Sequence, residues 1–276
     1  MTILYIVLLQ KDNVKRLRLL NRIPISKSGK IFGRVNKSPQ SAYNKFVSEI
    51  TVSERLDKSA YITYLYNTLS DVLSRTGGRG ELQLGEERAT LRIVSGREDE
   101  QLKKRLDERI AEIIGIGYKY AFLGERLRVC LSSREKRLLS AALIAADFEG
   151  DKAFIRRKLE GTERYSIDGF YHFRLGALRE KWSKIVDYIP EGFSSADLKR
   201  FCDFLVGESR RKIYVKDGAV FGENFMPLRR SRLTGQEDTE TEIMLSDAGF
   251  VYCLGEVEAS VEDFLQKYYA ERAVFS

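Results

Sequence analysis

The chain has 276 residues, of which 43% are hydrophobic and 32% are charged, a composition that excludes an intrinsically disordered chain. Its net charge of +7 is unevenly distributed: residues 1–53 hold ten Lys/Arg and two Asp/Glu, whereas residues 233–276 hold two Lys/Arg and ten Asp/Glu. We expect these charges to be solvated or to neutralise each other within the molecule. The alternative is that the basic end binds an anionic partner.

The cysteines and the hydropathy pattern indicate a cytoplasmic protein without a membrane span. Cys130, Cys202 and Cys253 are far apart, odd in number and form no CxxC motif, which argues against a disulfide framework. The apolar run 3–9 is too short to cross a bilayer and lacks the flanking features of a signal peptide. No other segment approaches about 18 consecutive apolar residues, so no transmembrane helix is predicted.

Residues 1–125 are predicted to form an N-terminal α+β part. Strands are expected at 2–9, 81–84 and 88–94, the last two forming a hairpin around Gly85. Helices are expected at 13–21, 39–50, 53–76 and 97–114, with a basic loop at 24–40. Gly77 is expected to end the third helix, and Gly115 and Gly117 are expected to end the fourth.

Residues 126–209 are predicted to form a helical middle, and residues 210–276 a C-terminal part with a small antiparallel sheet and a closing helix. After alternating apolar residues at 127–131, a helix is expected to run to Ala146, capped by either Ser132 or Ser133. Further helices are expected at 151–159, at 166–189 and from Ser194 or Ser195 onward. C-terminal hairpins are expected at 211–221 and 242–255, followed by a helix at 260–272. The predicted fold class is therefore α+β.

The segment 166–189 is predicted to form one long amphipathic helix that carries an arginine in its apolar stripe. At about 100° per residue, Arg174 lies between Phe170 and Leu178 on the face that also holds Trp182. A buried guanidinium needs a partner, so we expect a buried salt bridge. Snorkelling out of the stripe and contact with an anionic ligand are the alternatives. Phe173 points away from the stripe and is expected to be buried under another helix rather than exposed as a contact patch.

This same segment, SIDGFYHFRLGALREKWSKIVDY, resembles the characteristic segment of the YtxC-like sporulation proteins of endospore-forming bacteria. The residues that carry the resemblance are Gly169, Phe170, Phe173, Arg174 and Leu175, followed by Val186 near the end of the helix. Similarity extends over 160–221 and 258–270. The resemblance implies a cytoplasmic sporulation protein with an unknown protein partner and no established catalytic residues.

Several kinds of catalytic site are excluded or disfavoured by composition and spacing. His172 is the only histidine, which excludes two-histidine metal sites and HExxH zinc enzymes. The glycines at 77–80 follow a helix and precede a strand, the reverse of a phosphate-binding loop. The acidic residues at 237–242 are expected to form a solvated loop; cation binding or acid–base chemistry is the alternative. We therefore predict no catalytic, cofactor-binding or metal-binding residues and a protein that is not an enzyme; an enzyme with an anion site at Arg174 is a distant alternative.

The basic segment 11–45 supports a second function, nucleic-acid binding. Such a run can neutralise phosphates, although only Phe32 and Tyr43 offer stacking surfaces within it. A smaller cluster, Arg229, Arg230 and Arg232, precedes the acidic end. The first hypothesis is thus a non-enzymatic sporulation protein, and the alternative is a basic nucleic-acid-binding protein that uses residues 11–45.

Overall fold

The structure, a computed structural model, describes residues 48–96, 100–162 and 164–276. Within these ranges the chain is an α+β protein with two four-stranded sheets among its helices, which confirms the predicted class. The strand predicted at 2–9, the helix predicted at 13–21 and the basic segment 11–45 lie outside the described residues.

The first sheet has the strand order β2-β3-β1-β4. Its strands are β1 (Ser48–Arg55), β2 (Arg79–Leu84), β3 (Arg88–Ser95) and β4 (Arg164–Ser166). The β2–β3 hairpin confirms the predicted one, β1 pairs antiparallel with β3, and β4 pairs parallel with β1. β1 occupies the end of the helix predicted at 39–50 and the start of the helix predicted at 53–76. The prediction is wrong there, because Ile50, Thr51 and Val52 are β-branched and suit a pleated, half-buried strand.

Helix α1 (Ser59–Thr76) ends as predicted at Gly77, whose φ of 66° is left-handed. Helix α2 (Glu100–Glu112) is not ended by Gly115 or Gly117. It continues through a π-helical turn, Ile113–Tyr118, into α3 (Lys119–Arg126). A Cβ at Gly117 would lie 2.6 Å from the Tyr61 hydroxyl oxygen, so this glycine permits close packing rather than ending a helix.

The middle of the chain is helical, as predicted. Its helices are α4 (Ser133–Ala145), α5 (Phe148–Leu159), α6 (Ile167–Arg174), α7 (Gly176–Asp187) and α8 (Ser195–Glu208). Ser132 and Ser194 each begin a helix through a capping box, which confirms both predicted starts. The alternating residues 127–131 do not form a strand, although Val129 and Leu131 are buried.

The single long helix predicted over 166–189 is wrong, because the helix breaks at Leu175. That residue has φ −114° and ψ 30°, which is not helical, and its side chain is fully buried. Gly176, a weak helix former, follows and begins α7. Arg179 donates a hydrogen bond of 2.8 Å to the carbonyl of His172, which satisfies an acceptor near the end of α6.

The second sheet has the order β6-β5-β7-β8. Its strands are β5 (Arg211–Lys216), β6 (Ala219–Phe221), β7 (Ala248–Cys253) and β8 (Ala273–Phe275). The β5–β6 hairpin turns as predicted at Asp217 and Gly218, both at positive φ. The predicted hairpin at 242–255 is wrong: α9 (Thr239–Leu245) fills its first half, and β7 pairs parallel with β5 and β8. The sheet is therefore mixed, and only its β5–β6 pair is antiparallel.

The closing helix is α10 (Ala259–Tyr268), followed by a short 3-10 turn, Ala270–Arg272, before β8. Buried hydrophobic residues from Val52 to Tyr269 belong to one core cluster. β4 comes from the predicted helical middle yet completes the first sheet, and the boundaries proposed at 125 and 209 stay a prediction. Among the described residues, no helix combines the length and the apolar character needed to cross a membrane.

Candidate functional site

The motif segment, Gly169–Leu175, divides into buried and exposed residues. Phe170 and Leu175 are buried in the core, and a Cβ at Gly169 would lie 2.9 Å from the Ser166 hydroxyl oxygen. Phe173 is 87% exposed, and Arg174 is also exposed. The first group fixes the position of α6, and the second forms a surface that another molecule can reach.

Both predictions about burial in this segment are corrected by the structure. Arg174 does not lie in a buried salt bridge, and Phe173 does not lie under another helix. The reason is the break after α6, since Leu175 takes the buried position and the two preceding side chains project from the last helical turn. His172 is exposed as well.

A cavity of about 190 Å³ adjoins the exposed part of the motif segment. Gly169, Phe170 and Arg174 line one side of it, and Arg164 of β4 lines another. Within the ranges that the structure describes, neither guanidinium forms an ion pair with a carboxylate. The cavity therefore combines apolar wall residues with two available cations, which suits an anionic or carboxylate-bearing group.

Asp168, the carboxylate that directly precedes the motif segment, is bound to Arg88 and Ser166. The Arg88 guanidinium donates to both of its oxygens, at 2.6 and 3.2 Å, and the Ser166 hydroxyl donates at 2.7 Å. Burial alone would raise the pKa of Asp168, but the hydrogen bonds from Arg88 and Ser166 lower it to about 2. Asp168 therefore connects α6 to the first sheet, and its carboxylate pairs with Arg88 rather than with Arg174.

A buried charge network holds α7, the helix that follows the break, against α3 and α5, and the sequence pattern did not predict it. Lys119 of α3 is fully buried, and its ammonium group lies 2.8 Å from Asp151 Oδ2. The same oxygen accepts the indole N–H of Trp182 at 2.8 Å, and Asp151 Oδ1 pairs with Lys181 at 2.8 Å. Asp147 completes the network through ion pairs with both lysines.

The two carboxylates of this network respond differently to their surroundings. Burial alone would raise the pKa of Asp151, but attraction to Lys119 and Lys181 lowers it below its ordinary value. Burial raises the pKa of Asp147, and the charge of Asp151 adds to that rise. Asp151 is thus the carboxylate that neutralises the buried Lys119, and it joins α3, α5 and α7 at one point.

A second buried polar cluster contacts α6 through the Tyr118 ring. Glu54 is fully buried at the end of β1 and accepts a hydrogen bond of 2.7 Å from the Tyr118 hydroxyl. Burial raises the pKa of Glu54 above its ordinary value, despite that bond. The Tyr118 ring lies 4.4 Å from the Tyr171 ring, and Lys58 lies 3.8 Å above it. The π-helical turn that carries Tyr118 therefore helps to position α6.

The acidic residues at 237–242 do not form the predicted solvated loop. Glu240 and Glu242 are buried in α9, and Asp238 caps that helix by accepting the Thr241 N–H. Glu240 forms two hydrogen bonds with Arg134, at 2.7 and 2.9 Å. Across the described ranges, no group of three or more His, Cys, Asp or Glu side chains is arranged to hold a metal ion.

The basic cluster at 229–232 is partly used inside the molecule. Arg230 donates from its backbone N–H to Glu242 at 2.9 Å and from its guanidinium to the Leu245 carbonyl at 3.2 Å. Arg232 pairs with Glu237 at 3.0 Å. These contacts hold the segment before α9 in place, so the cluster is not simply a free cationic patch.

Comparison of this chain with protein-family models, with curated proteins and with solved structures gave no match. The residues of the site therefore carry the evidence for function. They offer an exposed aromatic ring and a cavity lined by two arginines, neither of which forms an ion pair with a carboxylate of the described residues. Buried polar contacts hold the segment on its inner side.

Proposed function

We propose that this protein acts in the sporulation programme as a non-enzymatic cytoplasmic protein that binds a protein partner through its motif segment. The observation that carries the proposal is the exposure of Phe173 and Arg174, side by side at the end of α6. The resemblance to YtxC-like proteins includes both residues. The sporulation role is proposed from this resemblance, and binding of a partner is proposed from the exposure of the two side chains.

The chemistry of this surface favours recognition of another protein. Aromatic and arginine side chains are enriched among the residues that contribute most to protein interfaces. Phe173 offers an apolar ring for a pocket on the partner, and Arg174 and Arg164 offer guanidinium groups for a carboxylate. We therefore expect the partner to present an acidic side chain beside an apolar depression.

Complementation in the organism that encodes the chain tests this proposal. We expect deletion of the gene to lower the number of heat-resistant spores, and a Phe173→Ala/Arg174→Ala variant to fail to restore them. Lys184→Ala/Tyr188→Ala removes an exposed cation and ring from the end of α7 and serves as the matched control that restores the number. Full restoration by the Phe173→Ala/Arg174→Ala variant would refute the role of the motif surface, and normal sporulation of the deletion strain would refute the pathway.

Nucleic-acid binding through residues 11–45 is the second candidate function. The observation in its favour is the charge of residues 1–53, with ten Lys/Arg against two Asp/Glu. Binding that depends on phosphate contacts weakens steeply with salt. We expect salt-sensitive retention on DNA or RNA that is lost on changing Arg16, Arg18 and Arg22 to alanine. Retention that survives these changes would reject the segment as the binding site.

A further inference from the structure

The outer face of the second sheet carries a row of side chains that crosses all four strands. Tyr214 of β5 pairs in register with Phe221 of β6 on one side and with Tyr252 of β7 on the other. Tyr252 in turn pairs with Val274 of β8. Side chains of paired residues share a face of a sheet, so three aromatic rings and one valine lie side by side.

This row faces away from the core. The alternate residues of β5 and β7, such as Ile213 and Val251, are buried on the opposite face. By contrast, Tyr214 and Tyr252 are partly exposed, and Val274 is 44% exposed. An aromatic row left open on a sheet face is a surface for planar groups rather than a core element.

The rings already take part in stacking. The Tyr214 and Tyr252 rings lie 5.6 Å apart at an interplanar angle of 30°. Phe225, from the loop after β6, stacks on Tyr214 at 4.4 Å and 21°, and it remains 59% exposed. Its φ of 55° is left-handed, a costly conformation for a residue with a large side chain. The loop therefore holds this ring against the row.

The charged side chains that strand alternation places on this face are cationic. Lys212 and Lys216 lie two residues before and after Tyr214, so they stand about 7 Å to either side of the aromatic row. Arg272 places its guanidinium 5.1 Å from the ring of Phe250, which is paired in register with Lys212. Two carboxylates also lie near these residues, Asp217 in the β5–β6 turn and Glu223, which accepts the backbone N–H of Lys212 at 3.0 Å.

We propose that this face binds single-stranded nucleic acid, with bases stacked on Phe225 and Tyr252, the rings that flank Tyr214, and phosphates beside Lys212 and Lys216. A strand that crosses the sheet along the row would place its bases on the rings and its backbone near the flanking ammonium groups. Sequence-tolerant recognition of this kind needs aromatic platforms and cations together. The residues of this face are different ones from those of the basic segment 11–45 and of the motif segment.

Fluorescence anisotropy with the full chain tests the proposal. The probe is a labelled oligothymidylate of about 15 nucleotides, compared with an abasic strand of the same length and with a duplex. We expect the single strand to bind best, and Tyr214→Leu/Tyr252→Leu to weaken it between about tenfold and a hundredfold. Tyr66→Leu changes an exposed tyrosine on α1 and is the matched control, with unchanged affinity.

The abasic strand separates stacking from a general loss of structure. Wild type and Tyr214→Leu/Tyr252→Leu should bind the abasic strand with the same affinity, because only the bases contact the rings. Lys212→Ala/Lys216→Ala should reduce the salt dependence of binding by about 1.4 in the log–log slope. The preference for the single strand over the abasic strand should persist when Arg16, Arg18 and Arg22 are changed to alanine.

Three results would overturn the proposal. One is a lack of single-strand binding at low salt, which would make the face a candidate surface for binding a protein instead. Another is unchanged affinity of Tyr214→Leu/Tyr252→Leu, which would assign binding to a different region such as 11–45. The third is an equal loss of affinity for the abasic strand, which would mean that the rings act through the fold.

Discussion

Asp151→Ala should be among the most damaging single substitutions in the molecule. The change removes the carboxylate that pairs with Lys119 and Lys181 and that accepts the Trp182 indole N–H, each at 2.8 Å. Lys119 is fully buried, and the carboxylate left beside it among the described residues would be Asp147, 3.6 Å away. Removing one partner of a buried ion pair costs about 3–5 kcal/mol of folding free energy.

Urea denaturation followed by circular dichroism measures this loss. For a chain of this size, 1 kcal/mol corresponds to about 2–4 °C in melting temperature, so the thermal shift should be roughly 6–20 °C. Asp203→Ala is the matched control, because Asp203 pairs with Lys199 at the surface of α8. Exposed pairs of this kind contribute about 0–1 kcal/mol.

A second variant separates loss of charge pairing from loss of packing. Lys119→Met/Asp151→Leu removes both charges and fills the space with apolar side chains, so it should recover part of the stability that Asp151→Ala loses. A loss below about 1 kcal/mol for Asp151→Ala would refute the buried network as a stabilising contact between α3, α5 and α7.

Other predictions follow from individual contacts. Arg174→Met should change the free energy of unfolding by less than about 0.5 kcal/mol in urea titrations, because its side chain is exposed; a larger loss would contradict that position. Between about pH 4 and pH 2, the free energy of unfolding should fall less steeply in Asp168→Asn than in the wild type, as measured by urea midpoints across that range. The carboxylate, with its folded pKa of about 2, stabilises the protein above its unfolded pKa of about 3.9, and protonation removes that contribution as the pH falls. Gly249→Ala should lower the melting temperature sharply, since the new Cβ would lie 2.0 Å from the Ser209 carbonyl oxygen, whereas Gly207→Ala, with open space around it, should be neutral or slightly stabilising. Equal effects of the two glycine changes would contradict the close approach.

Elements that depend on local chemistry could be predicted from the sequence. The end of α1 at Gly77 and the turn at Asp217 and Gly218 follow from residues that accept positive φ. Helix starts at Ser132 and Ser194 follow from hydroxyl caps with an acidic residue three positions later. These signals act over a few residues, so tertiary packing did not override them.

Elements that depend on distant partners could not be predicted in the same way. The alternation of Phe250 and Tyr252 with Val251 and Cys253 marks β7 as a strand, but it does not reveal that β5 is its parallel neighbour. The polar sequence before β7 suggested a loop. Glu240 and Glu242 are instead buried in α9. Glu240 contacts Arg134, which lies 106 residues away, and Glu242 accepts backbone N–H groups from the preceding loop.

The candidate site shows where the periodicity argument failed. The helical wheel put Arg174 and Trp182 on one stripe, which holds only for an uninterrupted helix, and the break at Leu175 separates the two. The premise that a buried cation needs a carboxylate partner does apply, but to Lys119. A signal was present, because Lys119 lies at helical spacing between Ile116 and Leu123 within an apolar stretch.

The most direct test of the partner-binding account is site-specific photocrosslinking from the motif surface in living, sporulating cells. A photoreactive phenylalanine analogue at Phe173, which is 87% exposed, should yield a discrete crosslinked complex. The same analogue at Tyr188, an exposed ring at the end of α7, should yield none. No complex from position 173, or an identical set of products from both positions, would contradict the account.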